Sequence, residues 1–134
     1  DALIGKENVI CMPHLGASTP EAEDNCAVMA VNQWRDFLEN GNIVNSVNFP
    51  KTVNENPIPA GGTRICIAHK NVPDVISKFS KILGEAQLNI SGMINQAKGE
   101  LAYNVMDVDG VVSEETLRAL ANIDTVIKVR PIFG

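Results

Sequence analysis

The chain has 134 residues, 45% of them hydrophobic, and its 16 acidic and 11 basic residues give a net charge of -5. A length of this order suits one domain of ordinary size with a buried core. The negative charge disfavours nucleic acid and anionic membranes as partners, because both bind basic surfaces, and no stretch approaches the roughly 18 consecutive apolar residues of a membrane-spanning helix.

A short apolar strand is predicted from Asn8 to Met12, ending at Pro13. A buried parallel strand needs neighbours on both sides, and this sequence offers none for it. The chain also starts without an initiator methionine or a signal-peptide pattern. Together these features predict the C-terminal piece of a longer protein. In this piece, the first strand and the helix around Trp34 are expected to lack most of their packing partners and to be loosely ordered, domain-swapped or docked against another chain.

A helix is predicted next, and two capping schemes are open for its start. Ser18 with Glu21 fits a capping box, whereas Thr19 fits an N-cap with Pro20 at the first helical position. Gly41 is a suitable residue to end the helix. Apolar residues at helical spacing predict a face buried in a core, and they are Cys26, Met29, Ala30, Trp34, Phe37 and Leu38.

The composition changes over residues 51–63, KTVNENPIPAGGT, which hold two prolines and two glycines and little that could anchor in a core. Proline favours extended backbone, and Gly61-Gly62 gives local freedom. This segment is the predicted linker, and it divides the chain into residues 1–50 and residues 64–134.

The pattern after the linker alternates strands and helices in the order βαββαβ. Within about 70 residues this order predicts a ferredoxin-like α+β domain, a four-stranded antiparallel sheet with two helices on one face. The predicted elements are a strand from Arg64 to His69, a helix from Pro73 to about Gln87, strands from Leu88 to Gln96 and from Leu101 to Val108, a helix capped by Ser113, and a strand from Val126 to Phe133.

No catalytic or ligand-binding role is predicted for the cysteines or for the basic residues of the strands. The cysteines lack metal-type spacing, so no metal site is expected, and Cys11 and Cys66 stand in apolar runs, which predicts free, buried thiols of a cytoplasmic protein. Cys26 belongs to the helix described above. Solvated positions are predicted for three basic residues, Arg64, Lys128 and Arg130.

His14 lies between the predicted first strand and the helix cap. Imidazole exchanges protons near neutral pH, which suits a group that takes the hydroxyl proton while a hydride leaves a 2-hydroxy acid. Such a histidine is usually held by a carboxylate, and the substrate by an arginine, and neither partner can be identified from the sequence. A polar residue that merely ends a strand is the alternative.

Two segments resemble the NAD-dependent D-2-hydroxyacid dehydrogenase family, in the branch that oxidises 3-phosphoglycerate. Residues 13–22, PHLGASTPEA, resemble its catalytic-histidine motif, and residues 45–50, NSVNFP, resemble the segment that re-enters its substrate domain. The predicted ferredoxin-like region is similar to the ACT domain at the C-terminal end of some members. The resemblance covers nearly the whole chain, in the family's order.

This resemblance implies roles for both parts of the chain. His14 would be the acid/base residue, and Gly16 and Ala17 would lie beside the nicotinamide of NAD. Residues 1–50 would be the C-terminal remnant of the α/β Rossmann and substrate regions, and residues 64–134 the ACT regulatory domain. The sequence contains no GxGxxG loop, so the chain alone is expected to be inactive.

The ACT domain of serine-inhibited family members binds L-serine at a dimer interface through a histidine and two asparagines. By resemblance, His69, Asn71 and Asn89 would hold this effector. A strand-to-helix turn offers unpaired backbone N–H groups, which suit its carboxylate. The alternative is that Asn71 only caps a helix and Asn89 is an ordinary loop residue. Asp74 stands where the family usually has glycine, and its carboxylate would either repel the carboxylate of the effector or occupy the pocket for its amine.

A homodimer is predicted through the strand from Arg64 to His69, taken as a sheet edge without proline and with only terminal charges. Pairing there would place His69, Asn71 and the partner's Asn89 around one cleft, with Gly61-Gly62 as the bending point for the resulting motion. Two alternatives remain open. The chain could derive from another 2-hydroxyacid dehydrogenase, or it could be a non-catalytic ACT module that regulates or holds subunits together.

Overall fold

The structure is a computed structural model that describes residues 2–134. Within those residues it contains three helices and four strands, none of the helices being long and apolar enough to cross a membrane. The chain divides into two compact units between Asn32 and Gln33. The elements in chain order are α1 (Pro20–Asn40), β1 (Thr63–Lys70), α2 (Val75–Glu85), β2 (Asn89–Lys98), β3 (Leu101–Asp109), α3 (Glu114–Ala121) and β4 (Val126–Phe133).

The first unit contains the His14 segment and the beginning of α1. The predicted strand from Asn8 to Met12 is wrong, because these residues are exposed and no partner strand pairs with them in the described part of the chain. The prediction that Cys11 is buried is wrong for the same reason. Of the two predicted caps for α1, the structure shows Thr19. Its Oγ1 accepts a hydrogen bond from the backbone N–H of Ala22 at 3.2 Å.

The apolar stripe of α1 is not buried, contrary to the prediction. No residue of this helix is buried, and Trp34 is 69% exposed. Cys26 is also exposed, whereas Phe37, which belongs to the second unit, packs half-buried against the sheet of that unit. Helical spacing identifies a face that can be buried, but burial needs an opposing surface.

The second unit is built on an antiparallel sheet with the strand order β2-β3-β1-β4. This order confirms the predicted ferredoxin-like βαββαβ arrangement. β1 pairs with β3 on one side and β4 on the other, so the prediction that the strand from Arg64 to His69 is an edge was wrong. The edges of the sheet are β2 and β4.

One face of the sheet is covered by α2 and α3, as predicted. Both helices contribute to a single core cluster with side chains from β1 and β3. The cluster is apolar throughout, and its buried members are Ile65, Ile67, Val75, Phe79, Leu83, Met106, Val108, Val112 and Leu120.

The opposite face is covered by the end of α1 and the segment that follows it. Cys66 and Tyr103 form a second cluster on this face, against which Phe37 and Phe49 pack. Backbone hydrogen bonds of 2.8 and 2.9 Å join Ile43 to Thr52 in both directions. The predicted linker is therefore well packed at its start, with Thr52 and Asn54 buried. Whether residues 51–63 separate two domains in a longer protein stays a prediction.

Two basic residues predicted on solvated positions turn inward to bind this covering segment. Arg64 is fully buried. Arg130 lies over the ring of Phe37, with 4.4 Å from its Cζ to the ring centroid, and its Nη1 donates to the carbonyl of Leu38 at 3.0 Å. Both corrections have one physical reason, since the guanidinium groups satisfy carbonyl oxygens left unpaired at the end of α1. Lys128 is exposed, as predicted.

Gly61 and Gly62 are needed for different reasons. Gly61 has a φ of 70°, in the left-handed region that favours glycine. A Cβ on Gly62 would lie 2.6 Å from the carbonyl oxygen of Val108 and 2.8 Å from Cβ of Pro59. Gly62 is therefore required by close packing against β3, and the use of this pair as a bending point stays a prediction.

Candidate functional site

The turn between β1 and α2 lies where the sequence predicts an effector site. The backbone N–H of Asn71 donates to the carbonyl of Glu100 at 2.8 Å, and its side-chain Nδ2 donates to the carbonyl of Gly99 at 3.0 Å. Both bonds tie the turn to the β2–β3 hairpin. Asn71 is exposed, so its amide oxygen faces a surface that a ligand can reach.

Asp74 precedes α2 with a φ of 69°, in the left-handed region. Its side chain makes no cap to the backbone of the helix, and its Oδ1 accepts instead from the hydroxyl of Ser77. The first intrahelical backbone bond runs from Lys78 to the carbonyl of Asp74 at 3.3 Å. The N–H groups of the first turn thus have no carbonyl partner within the helix, and they favour an anion that reaches them.

His69 lies beneath this turn and is only 2% exposed. Its Nδ1 lies 2.9 Å from the carbonyl oxygen of Lys70, and its Nε2 lies 3.0 Å from Oδ1 of Asn95. The ring also packs edge-on against Phe79, with 5.4 Å between the ring centroids. Both ring nitrogens therefore have partners within the chain, and an effector that binds His69 must replace one of them.

Asn95 and Asn104 belong to the same polar cluster and were missed by the sequence analysis. Nδ2 of Asn104 lies 3.4 Å from Oδ1 of Asn95, the oxygen that faces His69. No sequence signal identifies Asn104, because it stands between the alternating apolar residues of LAYNVMDV, at a position where the pattern predicts solvent, yet it is fully buried.

Asn89 lies far from the other two predicted effector residues within one chain. It pairs with Asp109 at the start of β2, and its Nδ2 donates to Oδ2 of Asp109 at 2.7 Å. His69 aligns with Ala102 near the opposite end of β3. One chain thus brings His69 and Asn71 together and leaves Asn89 at the other end of the sheet.

The predicted catalytic and cofactor residues lie in the first unit. His14, Gly16 and Ala17 are exposed and precede α1. A Cβ added to Gly16 would meet no atom within 4 Å, so nothing in the described chain forms a wall around this loop. The roles of these three residues beside NAD therefore stay predictions.

A second concave region lies on the sheet face covered by the end of α1. It is a largely apolar cavity of about 620 Å³ whose wall includes Trp34, Phe49, Cys66 and Tyr103. Burial raises the pKa of the Cys66 thiol and of the Tyr103 phenol. Both groups are therefore neutral near pH 7, and the Tyr103 hydroxyl donates to the carbonyl of Gly41 at 2.9 Å.

Known proteins are similar to this chain over nearly its whole length. D-3-phosphoglycerate dehydrogenase of Haemophilus influenzae is 33% identical over 127 residues, which cover 95% of this chain and 30% of the relative. The enzyme of the same name from Escherichia coli K12 is 32% identical over 130 residues, covering 95% of this chain and 31% of the relative. The chain thus spans about three tenths of the length of these relatives.

No protein-family model matches the chain. Among solved structures, an ACT domain protein from Streptococcus pneumoniae has a TM-score of 0.47 at 16% identity, over 55% of this chain and 90% of that one. The regulatory subunit of aspartate kinase from Thermus thermophilus has a TM-score of 0.46 at 14% identity, over 56% of this chain and 52% of that one. The fold assignment rests on the observed strand order.

Proposed function

We propose that this chain, a relative of the D-3-phosphoglycerate dehydrogenases over 95% of its length, is the regulatory part of such an enzyme and binds L-serine. The observation that carries the proposal is the turn from Asn71 to Asp74. It sets an accessible amide and uncapped helix N–H groups at the end of the strand that carries His69. A carboxylate suits the N–H groups, and an amide suits the polar groups of an amino acid.

The whole enzyme is proposed to oxidise 3-phosphoglycerate with NAD in the cytoplasm, in the synthesis of L-serine. His14 would act there as the acid/base residue, with Gly16 and Ala17 beside the nicotinamide. Because the sequence contains no GxGxxG loop, the 134-residue chain should form no NADH from 3-phosphoglycerate and NAD. An enzyme that contains this chain together with a nucleotide-binding region should lose activity on His14→Asn.

The effector site is proposed to be shared between two copies of the chain, joined along β2. This edge strand has no charged residue and no proline from Asn89 to Ala97, so little opposes pairing with another strand. An antiparallel pair of β2 strands related by a two-fold axis near Gly92 and Met93 brings the partner's Asn89 to the level of Asn95. A two-fold interface of this kind creates two equivalent sites.

The dimer is tested by a charge placed close to the proposed axis. Ser91→Lys sets two like charges near each other across the interface, which is unfavourable. Sedimentation velocity should show a dimer for the native chain and a monomer for this variant. Ser80→Lys, on the exposed side of α2, is the matched control and should remain dimeric. A native chain that sediments as a monomer at all concentrations would rule out this interface.

L-serine binding is tested by calorimetry on the native chain and on Asn71→Ala. We expect heat of binding from the native chain and a large loss of affinity in the variant, because the substitution removes the hydrogen bond between the Asn71 amide and the effector. Absence of heat from both proteins, with the dimer intact, would contradict the effector and leave the ACT module as a structure that only holds subunits together.

A further inference from the structure

We propose that Asn95 and Asn104 are further effector-binding residues, which select an amino acid whose side chain donates a hydrogen bond. This inference rests on the proposed function and deepens it. It concerns the part of the site below the β1–α2 turn, where the side chain of an effector would point if its carboxylate binds the start of α2.

The side chains of His69, Asn95 and Asn104 meet near the end of the sheet where β1 leads into the turn before α2. Asn104 pairs in register with Ile67 of β1 and with Asn95 of β2. Oδ1 of Asn95 is approached from two sides, by Nε2 of His69 at 3.0 Å and by Nδ2 of Asn104 at 3.4 Å. The three side chains therefore form one cluster that connects the edge strand to the interior strand β1.

The cluster is not satisfied within the chain. Asn104 is 0% exposed, and its Oδ1 has no hydrogen-bond partner among the described residues. Buried amide oxygens in native proteins nearly always have a donor. A neutral imidazole, moreover, can donate to the Lys70 carbonyl or to Asn95, but not to both. The cluster thus has a fixed, buried acceptor for a donor that comes from outside the chain.

The edge strand provides the route to this acceptor. Asn95 is exposed on β2, and its contact with Asn104 is long for a hydrogen bond. Rotation of the Asn95 side chain would expose both Asn104 and Nε2 of His69. It would break only a long contact with Asn104, but also the 3.0 Å contact with His69, which the effector then has to replace. A hydroxyl or side-chain amide can then donate to Oδ1 of Asn104, whereas a methyl group cannot. L-serine and L-asparagine are suitable probes, and L-alanine is the apolar comparison.

The experiment is calorimetry with these three amino acids on the native chain, Asn104→Val, Asn95→Leu and a control, Asn122→Leu, at an exposed position beyond α3. We expect the native chain and the control to bind L-serine or L-asparagine at least about tenfold more tightly than L-alanine. Asn104→Val and Asn95→Leu should reduce this ratio to near one. Thermal unfolding of each variant checks that it is folded.

The outcomes separate this inference from the proposed function. If L-serine binds and neither variant changes the ratio, the inference is overturned, while the proposed function stands. If L-asparagine binds in place of L-serine and Asn104→Val abolishes the preference, the inference stands and serine as the effector is wrong. If none of the three binds the native chain, both are overturned.

Discussion

Arg64 and Asp107 form a bidentate ion pair across β1 and β3, with Nε to Oδ1 at 2.6 Å and Nη2 to Oδ2 at 2.8 Å. The remaining donors of the guanidinium bind the carbonyl of Asn40 at 3.1 Å and that of Asn56 at 2.8 Å. Asn54 donates to the same carboxylate at 2.8 Å. One buried pair thus fastens both the end of α1 and the predicted linker to the sheet.

Removing either partner of this pair should strongly destabilise the chain. Asp107→Asn or Arg64→Met leaves a buried charge without its partner, which costs roughly 3–5 kcal/mol of unfolding free energy. The double variant Arg64→Met/Asp107→Leu should lose much less than the sum of the two single changes. Urea unfolding monitored by circular dichroism measures all three values.

The control for this prediction is Arg118→Met, which breaks an exposed pair with Glu114 in α3. Exposed pairs of this type contribute only a few tenths of a kcal/mol. The free energy of unfolding of this variant should therefore fall by about 0.5 kcal/mol at most. Single variants at Arg64 or Asp107 that resemble this control would contradict the role given to the buried pair.

Gly62→Ala should destabilise the chain although alanine is a small residue. Its Cβ would lie 2.6 Å from the carbonyl oxygen of Val108, so β3 or the segment before β1 has to move. Gly84→Ala is the matched control, because it lies inside α2 with no atom near its added Cβ, and it should stabilise the chain by about 0.5–1 kcal/mol. Thermal melts that rank the two variants in the reverse order would refute the packing role of Gly62.

Asp74→Gly should raise both stability and L-serine affinity. The left-handed conformation of residue 74 costs an aspartate about 1 kcal/mol that glycine avoids, partly offset by the greater freedom of glycine in the unfolded chain. The change also removes a carboxylate beside the proposed carboxylate site. Asp74→Asn separates the two effects, since it removes the charge and tolerates the same backbone. It should raise affinity and leave stability nearly unchanged, as calorimetry and urea unfolding can establish.

The free energy of unfolding should fall at alkaline pH because of Tyr103 and Cys66. Burial raises the pKa of both groups in the folded chain, whereas the unfolded chain loses these protons near ordinary values of about 8.5 for cysteine and 10 for tyrosine. Above those values the unfolded state binds fewer protons than the folded state, so stability is full below them and declines as pH rises.

A comparison of urea unfolding between neutral pH and about pH 10 tests this sign. Tyr103→Phe should show a smaller decline than the native chain, although it starts from a lower stability because the hydrogen bond to the Gly41 carbonyl is lost. A native stability that rises over this interval would contradict the burial of both groups.

The sequence predicted the elements of the second unit well because their patterns are local. The last strand, Val126–Phe133, has the predicted bounds, and Ser113 caps α3 by accepting a hydrogen bond from the backbone N–H of Thr116. Alternation along strands and capping residues depend on near neighbours in the chain. Such features can be recognised without knowledge of the tertiary structure.

What the sequence did not predict depends on partners far away in the chain. Arg64 looked solvated because nothing near it identifies Asp107 as its partner, 43 residues later. The same limit explains why β1 was wrongly predicted to be an edge strand. The order of the strands depends on how the connections between them pack, and the composition of β1 alone does not show it. His69 and Asn71 were found through resemblance, whereas Asn95 and Asn104 become visible only when β2 and β3 are placed side by side.

Each effector site is proposed to be shared by two copies of the chain, and mixing two variants tests this sharing most directly. Asn71→Ala and Asn89→Ala should each abolish L-serine binding as homodimers. In a mixed dimer, the copy with the Asn89 change contributes an intact His69 and Asn71, and the other copy contributes an intact Asn89. Calorimetry on an equal mixture should therefore recover about a quarter of the native number of sites. A mixture that stays silent while the native chain binds, or an Asn89→Ala homodimer that binds like the native chain, would contradict the shared site.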